Sequence, residues 1–165
     1  MYHEEHSVTV AAPIEAVWRV LLDVQRYADI FPPTQRVDML EEGENYQVVR
    51  LFVDISGELA SWTSRRDIDP ARHVIAYRQL ETAPIVGSMG GEWRASAGSD
   101  GHTDLVLTHD FEVRAPIDGK VAGRFDPEVA DQMLRATVER NSVADLAAVK
   151  QAAEQGISGA LAQAS

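Results

Sequence analysis

From Asp126-Pro127 to about Gln155 nothing interrupts a helical pattern, with no glycine and no further proline inside it. Aspartate caps helix starts and proline is tolerated in the first turn, so the spacing predicts one helix of about eight turns. A helix that long in a 165-residue chain needs a broad apolar surface to lie against. The residues before it supply one. Arg36–Leu40, Tyr46–Val53, Glu58–Asp67, His73–Leu80, Met89–Ala95 and Thr103–Val113 read as strands. Turn formers separate them: Glu42-Gly43, Asp69-Pro70 and Ser99-Asp100-Gly101. Gly90-Gly91 is either a break or a bend inside its strand. Ahead of these, His3–Val10 alternates as a further strand, and Ala12-Pro13 opens a helix with Pro13 at its first position. Ile14, Val17, Trp18, Leu21 and Leu22 form one stripe of that helix. A second short helical piece, Val24–Asp29, is stopped by Pro32-Pro33.

The order predicts an α+β fold: a curved, seven-stranded antiparallel sheet around a long C-terminal helix, with a ligand-sized gap between them. Residues 1–155 form the one expected domain, and the small residues Gly156–Ser165 are expected to fray. Composition narrows the function. Twenty-six acidic residues against fifteen basic ones, without a basic block, argue against binding nucleic acid. The absence of cysteine removes disulfides, thiolate nucleophiles and cysteine metal sites. No apolar run approaches the ~18 residues of a membrane span, and Met1–His6 is acidic where a secretion signal is positive. A cytoplasmic protein with no membrane partner is the expectation. His3-Glu4-Glu5-His6 has the wrong spacing for a helical zinc site, and Gly87-Ser88-Met89-Gly90-Gly91 lacks the lysine of a phosphate loop. Neither a metal nor a cofactor is expected.

Three positions could carry chemistry. In Trp62-Thr63-Ser64-Arg65-Arg66-Asp67, alternation puts Trp62, Ser64 and Arg66 on one face and Thr63, Arg65 and Asp67 on the other. Trp62 marks its face as the inner one. Arg66 is then either an anion stabiliser in a pocket or half of a structural ion pair with a carboxylate. His109 is the one titratable group on the face formed by Leu105, Leu107, Phe111 and Val113, which suits a catalyst or a satisfied core histidine. The opposite face, Thr108, Asp110 and Glu112, reads as solvated. The long helix carries Met133, Leu134, Thr137, Val138, Ala144, Ala148 and Val149 on its apolar stripe. Asp145 follows Thr137 and Asn141 at successive i+4 steps, beside that stripe, so it either has a partner or reaches water.

Several segments together resemble a known family. Tyr27-Ala28-Asp29-Ile30-Phe31-Pro32-Pro33-Thr34, Trp62-Thr63-Ser64-Arg65-Arg66-Asp67, Tyr77 to Gly87, Leu107-Thr108-His109-Asp110-Phe111 and Val138 to Leu146 are similar to the single-domain aromatase/cyclases of bacterial type II polyketide pathways. The likeness is collinear from the first strand to about Lys150. It implies the helix-grip fold, shared with START lipid-binding domains and the birch-pollen allergen. It also implies that Arg66, His109 and Asp145 are catalytic and form the polar end of the cavity. Other members rely on the arginine with a tyrosine; Thr34 stands where that tyrosine is expected, which aligns this chain with the His/Asp subgroup and first-ring closure between carbons seven and twelve.

The family substrate is a linear poly-β-ketone tethered to an acyl carrier protein. On this reading His109 is the general base and later the acid, Asp145 orients its imidazole, and Arg66 stabilises oxyanion charge with Ser64 in support. Phe31, Trp62 and Trp93 are the expected walls. Partners are the carrier protein, docked near Arg36, Arg65 and Arg124, and other type II synthase components, the chain itself being a monomer or homodimer. Two alternatives stay open: a hydrophobic-ligand carrier of the same fold, and a cyclase that steers by shape alone.

Overall fold

A computed structural model describes residues 1–55 and 57–164. Strand β1 (Tyr2–Val10) leads into α1 (Ile14–Leu22), a 3-10 turn (Val24–Arg26) and the single-turn α2 (Tyr27–Ile30). Six strands follow: β2 (Thr34–Glu42), β3 (Tyr46–Ile55), β4 (Glu58–Asp69), β5 (Val74–Glu81), β6 (Val86–Ala97) and β7 (Thr103–Val113). The long helix α3 (Pro127–Ala164) closes the chain. Sheet order is β1-β7-β6-β5-β4-β3-β2 with every pairing antiparallel. The meander arises because each turn joins neighbours, and β1 docks on β7 to complete it. None of the described helices is long and apolar enough to cross a membrane.

The elements match the sequence expectation, with informative differences at their edges. Pro13 sits at the cap of α1 rather than in its first turn, in extended conformation. Helical backbone in α3 continues to Ala164, past the Gln155 at which the pattern ends it, and Ser165 lies outside the described residues. Gly90-Gly91 falls inside β6, so the alternative of a bend is the one found. Gly91 has φ +154, and a side chain there would collide with the carbonyl of Thr108. That space is used: the Tyr77 hydroxyl on β5 donates across β6 to the Thr108 carbonyl on β7 (2.6 Å). The Glu92 amide donates to Thr108 Oγ1 (3.0 Å). Thr108 is therefore buried, not solvated as alternation predicts, because the bend folds β6 over it.

The apolar stripes meet as expected. Val17 and Leu21 of α1 pack with Leu105 and Leu107 of β7 and with Leu146 and Val149 of α3. Phe111 packs with Leu134 and Val138 towards the N-terminal end of α3. Fully burying a Leu or Phe side chain is worth ~1.5–3 kcal/mol, so these contacts fix α3 against the sheet. Met133, expected on the buried stripe, is instead 40% exposed and lies at the rim of the cavity that α3 leaves beneath it.

Candidate active site

Sheet, α2 and α3 enclose a cavity of about 260 Å³. Phe31, Trp62 and Trp93, the expected walls, line it together with Val49, Leu51 and Leu107. Phe31 and Trp93 stack nearly parallel, 8° apart with ring centroids at 6.5 Å. Against these walls stand Arg66 from β4, His109 from β7 and Asp145 from α3. Three side chains singled out on three separate elements thus face one chamber.

Alternation in β4 puts Arg66 inside, 4% exposed, and leaves Arg65 outside, paired with Asp67 (3.0 Å) and lying over the Tyr46 ring. Among the described residues Arg66 has no carboxylate partner, so the ion pair that sequence allows is not what holds it. Its Nη1 donates to Gln47 Oε1 (2.8 Å), and Nη2 donates to the Leu21 carbonyl (2.6 Å) and the Tyr27 hydroxyl (2.8 Å). Tyr27 donates to the same carbonyl (2.7 Å). Leu21 is in the last turn of α1, where carbonyls lack helical partners and carry partial negative charge. The guanidinium thus caps α1 while staying cationic. Three of its five N–H groups are engaged, leaving one on Nε and one on Nη1, on opposite sides of the planar group. Ser64 lines the cavity, but its hydroxyl donates to the Arg78 carbonyl (3.3 Å), so its proton is committed and only its oxygen faces a ligand.

Burial first, and the neighbouring His6 charge second, push the His109 pKa down to about 4, so its ring is neutral near pH 7. Nδ1 lies 3.2 Å from Ser142 Oγ on α3. This corrects the expected orienting contact from Asp145. Ser142 and Asp145 are three residues apart, about 60° around a helix, so one meets β7 while the other faces the cavity. Asp145 has no hydrogen bond or ion pair among the described residues, and burial pushes its pKa up to about 7. An unpartnered carboxyl in an apolar cavity keeps its proton far above the ordinary carboxylate range.

Sequence reading missed Tyr27, Gln47, Tyr77 and Gln79. Burial raises the Tyr27 pKa against the pull of Arg66, and burial raises that of Tyr77 well above 10, so both stay neutral donors. Tyr77 and Gln79 share a face of β5 at i, i+2 spacing, which marks them as a pair, although not which way they point.

Residues 10–138 match the family described as polyketide cyclase / dehydrase and lipid transport. The fold superimposes on the Zhui aromatase/cyclase from Streptomyces sp. R1128 with a TM-score of 0.93 and 64% identity, covering 94% of this chain and 95% of that one. A START superfamily protein from Mycobacterium smegmatis shares the fold at 19% identity (TM-score 0.69), over 92% of this chain and 99% of the other. A granaticin polyketide synthase bifunctional cyclase/dehydratase from Streptomyces violaceoruber is 35% identical over 94% of this chain but only 45% of its own length. The chain thus spans about half of that relative. The family match spans β2 to β7 and the first turns of α3, more than half of the chain, and on that ground the chain belongs to the polyketide cyclase / dehydrase and lipid transport family.

Proposed function

We propose that this protein is an aromatase/cyclase of type II polyketide synthesis. Its substrate is a linear poly-β-ketone held as a thioester on an acyl carrier protein. The observation that carries the reading is one apolar cavity onto which a buried cation, a neutral imidazole and a protonatable carboxyl all open from different elements. A carrier of apolar ligands has no use for that set.

The first ring closes between carbons seven and twelve. Nε2 of His109 takes a proton from methylene twelve, and the resulting carbanion attacks ketone seven, forming the carbon–carbon bond. Arg66 stabilises the developing alkoxide through its positive charge and a remaining N–H group. Imidazolium first returns that proton to the alkoxide, giving the alcohol at carbon seven. The freed Nε2 then takes the second proton of carbon twelve while Asp145, whose pKa is pushed up to about 7, gives its proton to the departing hydroxyl, so water leaves and the ring enolises to the aromatic product. Imidazolium then returns its proton to Asp145 through solvent. Holding the chain in a near-attack conformer supplies up to ~7–11 kcal/mol, the task of the Phe31, Trp62 and Trp93 walls. Only protons move. Carrier docking is assigned to the cavity rim; Arg36, Arg65 and Arg124 each pair with an acid of their own chain, at 2.7, 3.0 and 3.7 Å, so any attraction they exert is partly neutralised.

Reconstitution with a minimal polyketide synthase tests this, with the ring pattern identified by mass spectrometry and NMR. Wild-type protein should redirect products to the seven-to-twelve ring, and His109→Ala or Asp145→Asn should return them to the pattern without it. Unchanged products with wild type would overturn the reading. A correct ring from both variants would leave a cyclase that acts by shape.

A further inference from the structure

Ser142 is fully buried in the middle of α3, a place where alanine would be the better helix former. Its hydroxyl lies 2.6 Å from the Val138 carbonyl, one turn back. A carbonyl only accepts, so the single hydroxyl proton of Ser142 is spent there. What remains at Oγ is an acceptor, and it faces His109 Nδ1 at 3.2 Å. That contact is a hydrogen bond only if Nδ1 carries the proton. In a neutral imidazole the other nitrogen is then the base.

We infer that Ser142 is a positioning residue that holds His109 as the Nδ1–H tautomer and so leaves Nε2 unprotonated towards the cavity. The neighbours of the ring offer no substitute. Glu4 stands opposite His109 in the β1–β7 register, yet neither it nor His6 hydrogen-bonds the imidazole. Tyr77 meets the ring edge-on with centroids 5.9 Å apart, and its hydroxyl is committed to Thr108. Asp110 points to the outer face, where it bonds His3. Nε2 has no protein partner among the described residues and is not sealed from the cavity that His109 lines. Removing Ser142 leaves nothing to prefer one tautomer, and a fraction of the imidazole then presents N–H where a lone pair is needed.

The catalytic consequence rests on the proposed function; the tautomer does not, which lets the two fail separately. The experiment is 15N NMR of the histidine side chains in the whole protein, paired with turnover and melting temperature. Wild type should show His109 with a proton-bearing Nδ1 and a bare Nε2. Ser142→Ala should mix the tautomers and cut turnover by about 10–100-fold, the usual cost of losing a group that orients a functional histidine. Ser142→Thr, which keeps the hydroxyl, should restore both. If the alanine variant does not fold, Ser142→Cys gives the same reading with a near-isosteric, poor acceptor. A wild-type proton on Nε2, or an unaltered tautomer in the folded variant, would overturn the assignment. A mixed tautomer with unchanged turnover would overturn the catalytic consequence and leave Ser142 as a residue that only sets the tautomer. A wild type inert towards polyketide chains would sink the functional reading while leaving the tautomer measurement to stand.

Discussion

Arg66 does two jobs, and a mutation removes both. It caps α1 through the Leu21 carbonyl and it brings a positive charge to the cavity wall. Arg66→Ala leaves the buried Gln47 Oε1 without its donor, while the Leu21 carbonyl keeps only the Tyr27 hydroxyl. An unsatisfied buried polar group costs ~1–3 kcal/mol, so the melting temperature should drop. Turnover per folded molecule should also fall, by about 10²–10³-fold, the typical cost of losing an oxyanion donor. Arg65→Ala is the control from the next residue along. It loses an exposed ion pair worth at most about 1 kcal/mol and nothing in the cavity. Turnover corrected for folded fraction separates the roles: a variant with lowered melting and normal corrected turnover would make Arg66 a cap and no more.

At the level of elements, the sheet must bend to leave a chamber under a straight helix, and β6 is where it does so. Gly91 permits this with a backbone angle that other residues rarely adopt and with no side chain against Thr108. Gly91→Ala should therefore destabilise the protein by ~1–3 kcal/mol, read as a lower melting temperature, with the Tyr77–Thr108 bond lost. A melting temperature equal to wild type would mean that β6 bends without help from this glycine. The same bend marks the limit of what alternation can reveal. Period-two patterns place Arg66 inside and Arg65 outside because burial alternates along β4 from Ser64 to Asp67, past the irregular pairing at Thr63. They also put Thr108 in solvent, and failed, since a pattern within β7 carries no information on how β6 crosses it. Helical spacing likewise brought Asp145 to the cavity but could not assign the partner of His109. Ser142 and Asp145 both flank the apolar stripe, and only the docking angle of α3 decides which meets β7. The Arg66 network was hidden for a related reason: Leu21, Tyr27 and Gln47 are joined by tertiary folding of three elements, with no local signature.

For the molecule as a whole, the cavity groups make stability depend on pH in opposing senses. His109 folds with a pKa of about 4 against an ordinary value of ~6.5. Between those limits the unfolded chain binds more protons, so this group removes stability as pH falls from 6.5 towards 4. Asp145 folds with a pKa of about 7 against an ordinary ~3.9. Here the folded chain binds more protons, so stability is lost as pH rises from about 4 to 7, and the full penalty stands above 7. The two slopes largely cancel across the shared window, and the wild-type melting temperature should change little there on their account. Asp145→Asn breaks the balance. It removes a buried charge at high pH and almost nothing at pH 4, where the carboxyl is already neutral. At ~1.4 kcal/mol per pKa unit the gain at pH 8 has a ceiling of about 4 kcal/mol, lowered by any water in the cavity. The variant should thus melt above wild type at pH 8, converge with it near pH 4, and lose turnover at both. Stability is then being given up to keep a proton donor where the chemistry needs one, as functional sites commonly require. Equal melting shifts at the two pH values would show instead that Asp145 titrates as an ordinary carboxylate, and the proton for the departing water would have to come from imidazolium at His109.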